Sequence, residues 1–163
     1  MTNAAASILE QLAAKFPSET SELKAERGQQ WGYVAKGAVK KVLTYLKNDC
    51  DFNILMDLTC VDYLHWEEKA ERFEVVYNIY SMSRNERIIL RAKVAEDDAV
   101  VESAASIWPG ANWFEREVWD MFGVRFTGHP NLKRLIMYEE FQGHALRKDY
   151  PYSKRQPLIG PKN

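Results

Sequence analysis

A chain of 163 residues, 46% hydrophobic and 12% aromatic, is one domain by length, with ample apolar side chains for a packed core. Its formal charge of -1 excludes a polyanion-binding surface spread over the whole molecule. The charge is unevenly placed: residues 133–163 hold seven Lys/Arg against three acids, a formal +4, leaving -5 for the rest. The longest stretch without a charged residue, Ser103 to Phe114, is broken by Pro109 and Gly110 and falls far short of the ~20 apolar residues of a membrane span. Met1 to Glu10 has no basic n-region and no arginine, which fits neither a secretory signal nor a transit peptide and suits a bacterial cytoplasmic setting. Cys50 and Cys60 stand apart with no C-x-x-C, so a zinc ribbon or iron-sulfur cluster would lack thiolates within this chain.

In chain order, Ala5, Ile8, Leu9, Leu12 and Phe16 have helical spacing up to the Pro17 break, and Val39, Val42, Leu43 and Leu46 repeat it in a second predicted helix. Between them, residues 22–26 and 31–35 flank Arg27-Gly28 as a hairpin. Residues 52–63, 72–81 and 87–94 carry β-branched and aromatic side chains between polar loops and read as strands, whose short connections favour antiparallel pairing. Asp97 and Asp98 predict the start of a helix through Val100, Val101 and Ala104, stopping near Pro109. A further helix is expected from about Asn112 to Phe122. The sum is an α+β fold, a largely antiparallel sheet with helices packed on one face, in a domain over residues 1–141. An extended basic C-terminal arm follows over 142–163.

Residues 115–136 are the most informative. On a helix, Phe114, Val118, Met121 and Phe122 form one apolar stripe, leaving Glu115, Arg116, Glu117 and Asp120 off it. Arg116 and Asp120 are i, i+4 neighbours, while Glu117 and Asp120 are like charges at i, i+3 that call for an external cation. That demand points to a partner. Glu115 and Glu117, about 200° apart on the helix, cannot share one substrate as a paired acid and base.

The run Glu115-Arg116-Glu117, Asp120, His129, Lys133, Leu135-Ile136 resembles the signature of the C subunit of proton-pumping NADH-quinone oxidoreductase, respiratory complex I, the 30 kDa-type subunit family. Asp57-Leu58-Thr59-Cys60-Val61-Asp62-Tyr63 and Arg72-Phe73-Glu74-Val75-Val76-Tyr77 resemble two of its strands. Gly143-His144-Ala145-Leu146-Arg147-Lys148-Asp149-Tyr150-Pro151 is similar to its closing motif, departing at Ala145, where proline is usual. The resemblance covers residues 50–151. It implies a non-catalytic subunit of the peripheral arm, in the path from NADH to quinone that is coupled to proton translocation. It also implies the D subunit as principal partner, with the B subunit and other peripheral-arm subunits nearby. No cofactor is expected in this chain, FMN and iron-sulfur clusters belonging to other subunits, and its place would be the cytoplasmic side of the bacterial inner membrane. The expected subunit interface is Glu115, Arg116, Glu117, Asp120, His129, Lys133, Arg134, His144, Arg147, Lys148, Asp149 and Tyr150.

Other chemistries find little support. The sequence has no G-x-x-x-x-G-K-[ST] and no G-x-G-x-x-G, the phosphate and dinucleotide cradles. His65, His129 and His144 lack a second ligand at i+3 or i+4. Trp108, Trp113 and Trp119 would suit nucleic-acid stacking, but their segment is acidic and repels phosphate, so core packing or a protein interface explains them better. In the tail, prolines favour extended backbone, and Tyr150, Tyr152, Leu158 and Ile159 suit anchoring along a partner. Two readings stay open beside the first: the equivalent subunit of a membrane-bound hydrogenase or related dehydrogenase, and a stand-alone quinone- or flavin-binding enzyme with His129 or Tyr138 as donor.

Overall fold

The computed structural model describes residues 7–157. Its first helix, α1 (Ile8–Lys15), starts at Ser7, whose hydroxyl accepts the Glu10 N–H while the Glu10 carboxylate accepts the Ser7 N–H. This reciprocal cap satisfies two donors that a helix start leaves orphaned. Ile8 and Leu12 are buried, and Ala5 lies outside the described residues. β1 (Thr20–Glu26) and β2 (Gln29–Val34) are joined by Arg27 and Gly28 at φ 51° and 78°, a pair of positive values that matches the twist of a tight hairpin. One 3-10 turn over Lys36–Ala38 leads into α2 (Val39–Asn48), which buries Val39, Val42, Leu43 and Leu46.

β3 (Ile54–Asp62), β4 (Phe73–Ser81) and β5 (Glu86–Val94) follow as an antiparallel meander. The five-stranded sheet has the order β1-β2-β5-β4-β3. The expected antiparallel character holds for every pair except one, since β2 runs parallel to β5. No local connection signals that pairing, because the two strands meet from distant parts of the chain. Phe73, Val75, Tyr77 and Ile79 of β4 alternate with less buried residues, as do Ile88, Leu90, Ala92 and Val94 of β5. One face of the sheet is therefore apolar. It shares a single core with side chains of α1 and α2 and of the next helix, each large aliphatic contributing about 1.5–3 kcal/mol on burial.

The helix expected from Asp97 does not form. Val100–Glu102 is instead a short strand, β6, paired in parallel with β7 (Arg125–Thr127). Two adjacent β-branched residues accept this geometry readily, and the partner strand arrives only after the third helix, beyond the reach of a local reading. That helix, α3 (Ala111–Phe122), begins and ends within a residue of expectation. It stops at Gly123, φ 82°, whose N–H returns to the Trp119 carbonyl. A side chain there would meet His144 and Arg147 at 2.6 Å, so glycine is demanded by both backbone and neighbours.

A second close approach tests the register of the hairpin. β1 is bulged between Ser21 and Lys24, and a Cβ on Gly32 would sit 2.5 Å from Leu23 Cδ2 and 3.3 Å from both Leu23 Cα and the Ser21 carbonyl oxygen. Gly32→Ala is expected to cost about 1–3 kcal/mol by overpacking, read as a lower urea midpoint. An unchanged midpoint would mean that the bulge yields freely.

Candidate functional site

Asp120 lies on the last full turn of α3 with no exposed surface. Arg134 Nη1 reaches its Oδ1 at 2.6 Å, and the consecutive N–H groups of Leu135, Ile136 and Met137 donate to Oδ2 at 3.0, 2.8 and 2.9 Å. Burial works to raise this carboxyl, but the Met137 N–H, the guanidinium and the other two amides outweigh it and hold the group below the usual carboxylate range. Arg134 also donates to the carbonyls of Phe141 and Gly143, and the His144 ring nitrogen Nδ1 donates to the Asp120 carbonyl at 3.0 Å. A segment with no regular structure, residues 134–144, is thus fastened to the helix. Arg116 adds two bonds from the helix side, to the carbonyls of Lys133 and Arg134.

Glu115 faces the other way. It sits on the inward row of α3 with Ala111 and Val118, fully buried, accepting bonds from the Ser103 hydroxyl and the Ala104 N–H, both at 2.6 Å. No cation pairs with it among the described residues, so burial pushes its pKa to about 7 against two hydrogen bonds that pull it down. The Ser103–Glu115 pair is sealed from solvent and has no route to a substrate. Burial also raises both thiols, Cys60 with help from the Asp62 charge, so neither is poised as a nucleophile.

A third cluster ties the C-terminal segment to the sheet. Asp62, at the end of β3, takes Arg72 on both oxygens at 3.1 and 3.0 Å and the N–H groups of Leu64 and Lys148 at 3.0 and 2.8 Å. Arg72 also reaches Asp149 at 2.9 Å and Glu96. Arg147 Nε donates to the Phe122 carbonyl at 2.5 Å, and the Leu146 N–H donates to that of Met121. Further on, Gln156 and Gln142 bond reciprocally, and Gln156 reaches the Tyr150 hydroxyl. The arm is therefore not free at its near end: residues 144–150 lie on the body of the domain. Leu158, Ile159, Pro161 and Lys162 lie outside the described residues.

These facts redistribute the expected interface. Glu115 and Asp120 are interior, and the cation that Asp120 was expected to find on a partner is Arg134 of the same chain. Arg116 does not pair with Asp120 but with backbone carbonyls. His129 Nε2 meets the Asn112 carbonyl while its Nδ1 accepts the Asn131 N–H, so this ring is a turn brace. The apolar stripe is also displaced, since Glu115 sits within the buried row and Phe114 and Phe122 are only half-buried. Glu117, Lys133, Lys148 and Asp149 remain exposed, and Arg134, His144, Arg147 and Tyr150 are half-buried. Ser103, Asp62 and Arg72 were missed as partners; only the short spacing from Asp62 to Arg72 across a β-turn region hinted at the last two. Trp113, which the sequence left open between core packing and a protein interface, is 60% exposed, and Ile136, 58% exposed, was missed as a surface feature. Arg116 links the two regions, since it stacks 5.0 Å over Trp113 and bonds the carbonyls of Lys133 and Arg134, two residues before Ile136. Among the described residues no group of His, Cys, Asp and Glu is arranged to hold a metal, and no helix is long and apolar enough to cross a membrane.

The two buried acids of α3 should behave oppositely. Asp120→Asn breaks a buried ion pair and is expected to cost about 3–5 kcal/mol in chemical denaturation. Because the folded-state pKa is depressed, the stabilisation is present above the carboxyl's ordinary range and is lost as pH falls through the folded value. Glu115 carries the reverse sign. Its contribution is fullest below the ordinary value of 4.5 and declines as pH rises from there to about 7. Glu115→Gln should flatten the stability profile across that window, and an unchanged slope would show that Glu115 is already ionised in the fold.

The chain matches the family model described as respiratory-chain NADH dehydrogenase, 30 Kd subunit, over residues 32–156. It is 44% identical over 154 residues to the C subunit of the NADH-quinone oxidoreductase of Trichlorobacter lovleyi, covering 93% of this chain and 94% of that one. With the same subunit of Geobacter sulfurreducens it shares 39% over 151 residues, covering 91% and 92%. Among solved structures it is similar to a trypsin-resistant fragment of Nqo5, with TM-score 0.68 and 32% identity, covering 77% of this chain and 96% of that one. A chain of the archaeal membrane-bound sulfane sulfur reductase shares the fold, with TM-score 0.75 at 22% identity and 95% coverage of each. The protein belongs to the 30 kDa subunit family of respiratory-chain NADH dehydrogenase, as a peripheral-arm subunit of NADH-quinone oxidoreductase.

Proposed function

We propose that this subunit is a cofactor-free brace that docks on the D subunit, with the B subunit nearby, at the cytoplasmic face of the bacterial plasma membrane. The observation that carries this reading is the strip of exposed Trp113, Lys133 and Ile136 around the half-buried Arg116, beside the Asp120–Arg134 lock. Large exposed apolar side chains beside an arginine are the composition of an interaction site, and the lock removes the entropic cost of ordering them on binding. Glu117 would serve at the rim of that contact, where a charge tunes association more than affinity. The family's reaction supports a positional role. Electron transfer from NADH towards quinone needs its centres at fixed separations, and a domain with buried, multiply bonded carboxylates supplies rigidity.

The strip is tested by Trp113→Glu with Ile136→Glu. The double variant is expected to keep its melting temperature within a few degrees, since both side chains already face water, yet to lose co-elution with the D subunit in size-exclusion chromatography. Binding unchanged in a folded variant would move the interface elsewhere.

A further inference from the structure

The sheet has two edges, and they are built differently. β1 is bulged and carries Glu22, Lys24 and Glu26 in exposed positions, the devices by which proteins block pairing with another chain. β3 has no such protection over its straight part. Its irregularity is confined to Met56, between Leu55 and Asp57, and from Asp57 to Asp62 it pairs, among the described residues, with β4 alone. The Tyr63 N–H donates to the Arg72 carbonyl at 2.7 Å, which fixes the phase of the antiparallel ladder. Residues 57, 59, 61 and 63 turn their backbone groups to β4, and Leu58, Cys60 and Asp62 turn theirs outward. The side chains of these three are buried. What they offer outside is backbone, a row of donors and acceptors that another strand matches group for group.

That edge opens into a groove of about 390 Å³. Cys60 and Tyr63 from the edge strand and its end, Trp66 from the loop that follows, and Phe122, Leu146 and Lys148 from α3 and the C-terminal segment line it. Trp66 and Leu146 are 57% and 53% exposed. The Leu146–Lys148 wall is held in place by the bonds to Met121, Phe122 and Asp62, so the groove is preformed. Lys148 is exposed, and its ammonium enters no ion pair among the described residues; Asp62 is already occupied by Arg72 and two amides.

We propose that the free edge of β3 and the groove between Trp66 and Leu146 receive an extended, mostly apolar segment of a partner protein, with an acid set opposite Lys148, which joins the sheet as a sixth strand. The outward row from Leu58 to Asp62 accommodates about five residues, roughly 16 Å of strand. Backbone pairing supplies the affinity, and the apolar walls with the single cation supply selectivity and direction. The site shares no residue with the Trp113 strip, so it stands whether or not that strip docks on the D subunit.

Residue-resolved amide hydrogen exchange distinguishes strand addition from any other contact. In the isolated full chain, the amides of Thr59, Val61 and Tyr63 are expected to exchange slowly and those of Leu58, Cys60 and Asp62 quickly. In the purified complex, the second set should slow by at least about a hundredfold, leaving the first little changed. Leu146→Asp, at an exposed position, should leave the isolated chain folded and abolish that gain. Equal exchange of the outward amides in both states would overturn the proposal, as would protection of both rows without alternation. Protection already present in the isolated chain also overturns it: concentration dependence would assign the edge to a second copy, and loss on removing residues 158–163 would assign it to the chain's own C-terminus. Persistence in Leu146→Asp would remove the groove from the recognition.

Discussion

The carboxylate of Asp120 is the constraint on which the functional face depends. A buried charge costs several kcal/mol to desolvate and survives only where its lone pairs are met. Here they are met by one guanidinium and three successive amides from a segment with no helix or strand of its own. The acid needs that segment, and the segment has little else to order it. Arg134 extends the obligation to the carbonyls of Phe141 and Gly143, and Asp120 extends it to His144 through its own backbone oxygen. A loop of eleven residues thereby becomes as well defined as the helix it lies against, and the surface it presents is fixed before any partner arrives.

Glu115, five residues earlier, shows what happens when the environment withholds a cation. It has two hydrogen bonds and full burial, so its charge is held weakly. One helix therefore carries an acid locked in its charged form and another poised near neutrality, a difference set entirely by what lies opposite each side chain. Only the first can act as an electrostatic anchor at all working pH. The second joins β6 and its following turn to α3 through Ser103 and Ala104, and its grip varies with protonation.

Periodicity made α1, the hairpin, α2, the meander and α3 legible, because each is specified by residues close in sequence. The parallel β2–β5 pair and the β6–β7 pair were not legible for the opposite reason: in each, the partner strand lies far along the chain. The site shows the same division. The charged residues at 115–120 were recognisable as unusual, but the direction of two of them, Glu115 and Asp120, was misread. Clustered charges on a helix usually face water, and nothing within the helix reveals that Arg134 and three amides await Asp120, or that Ser103 awaits Glu115. Of the apolar members of the surface, Trp113 was left between core packing and an interface, because aromatic side chains serve both, and Ile136, in an aliphatic pair, gave no sign of its exposure.

The parallel β2–β5 pair has a consequence for how the molecule assembles. β3, β4 and β5 are sequence neighbours joined by connections of ten and four residues, so their contacts close small loops and form early at little entropic cost. The β1–β2 ribbon is equally local, yet its place in the sheet is beside β5, and that place does not exist until residue 94 has been made and threaded. During synthesis the N-terminal ribbon must wait, its apolar face uncovered, for a strand emitted some fifty residues later. The charges and bulge on β1 guard one flank of that ribbon during the delay, while the β2 flank, with Trp31 and Tyr33, stays open until β5 arrives. The slow step of folding is then the docking of two preformed pieces, and the population that precedes it is the one most exposed to aggregation.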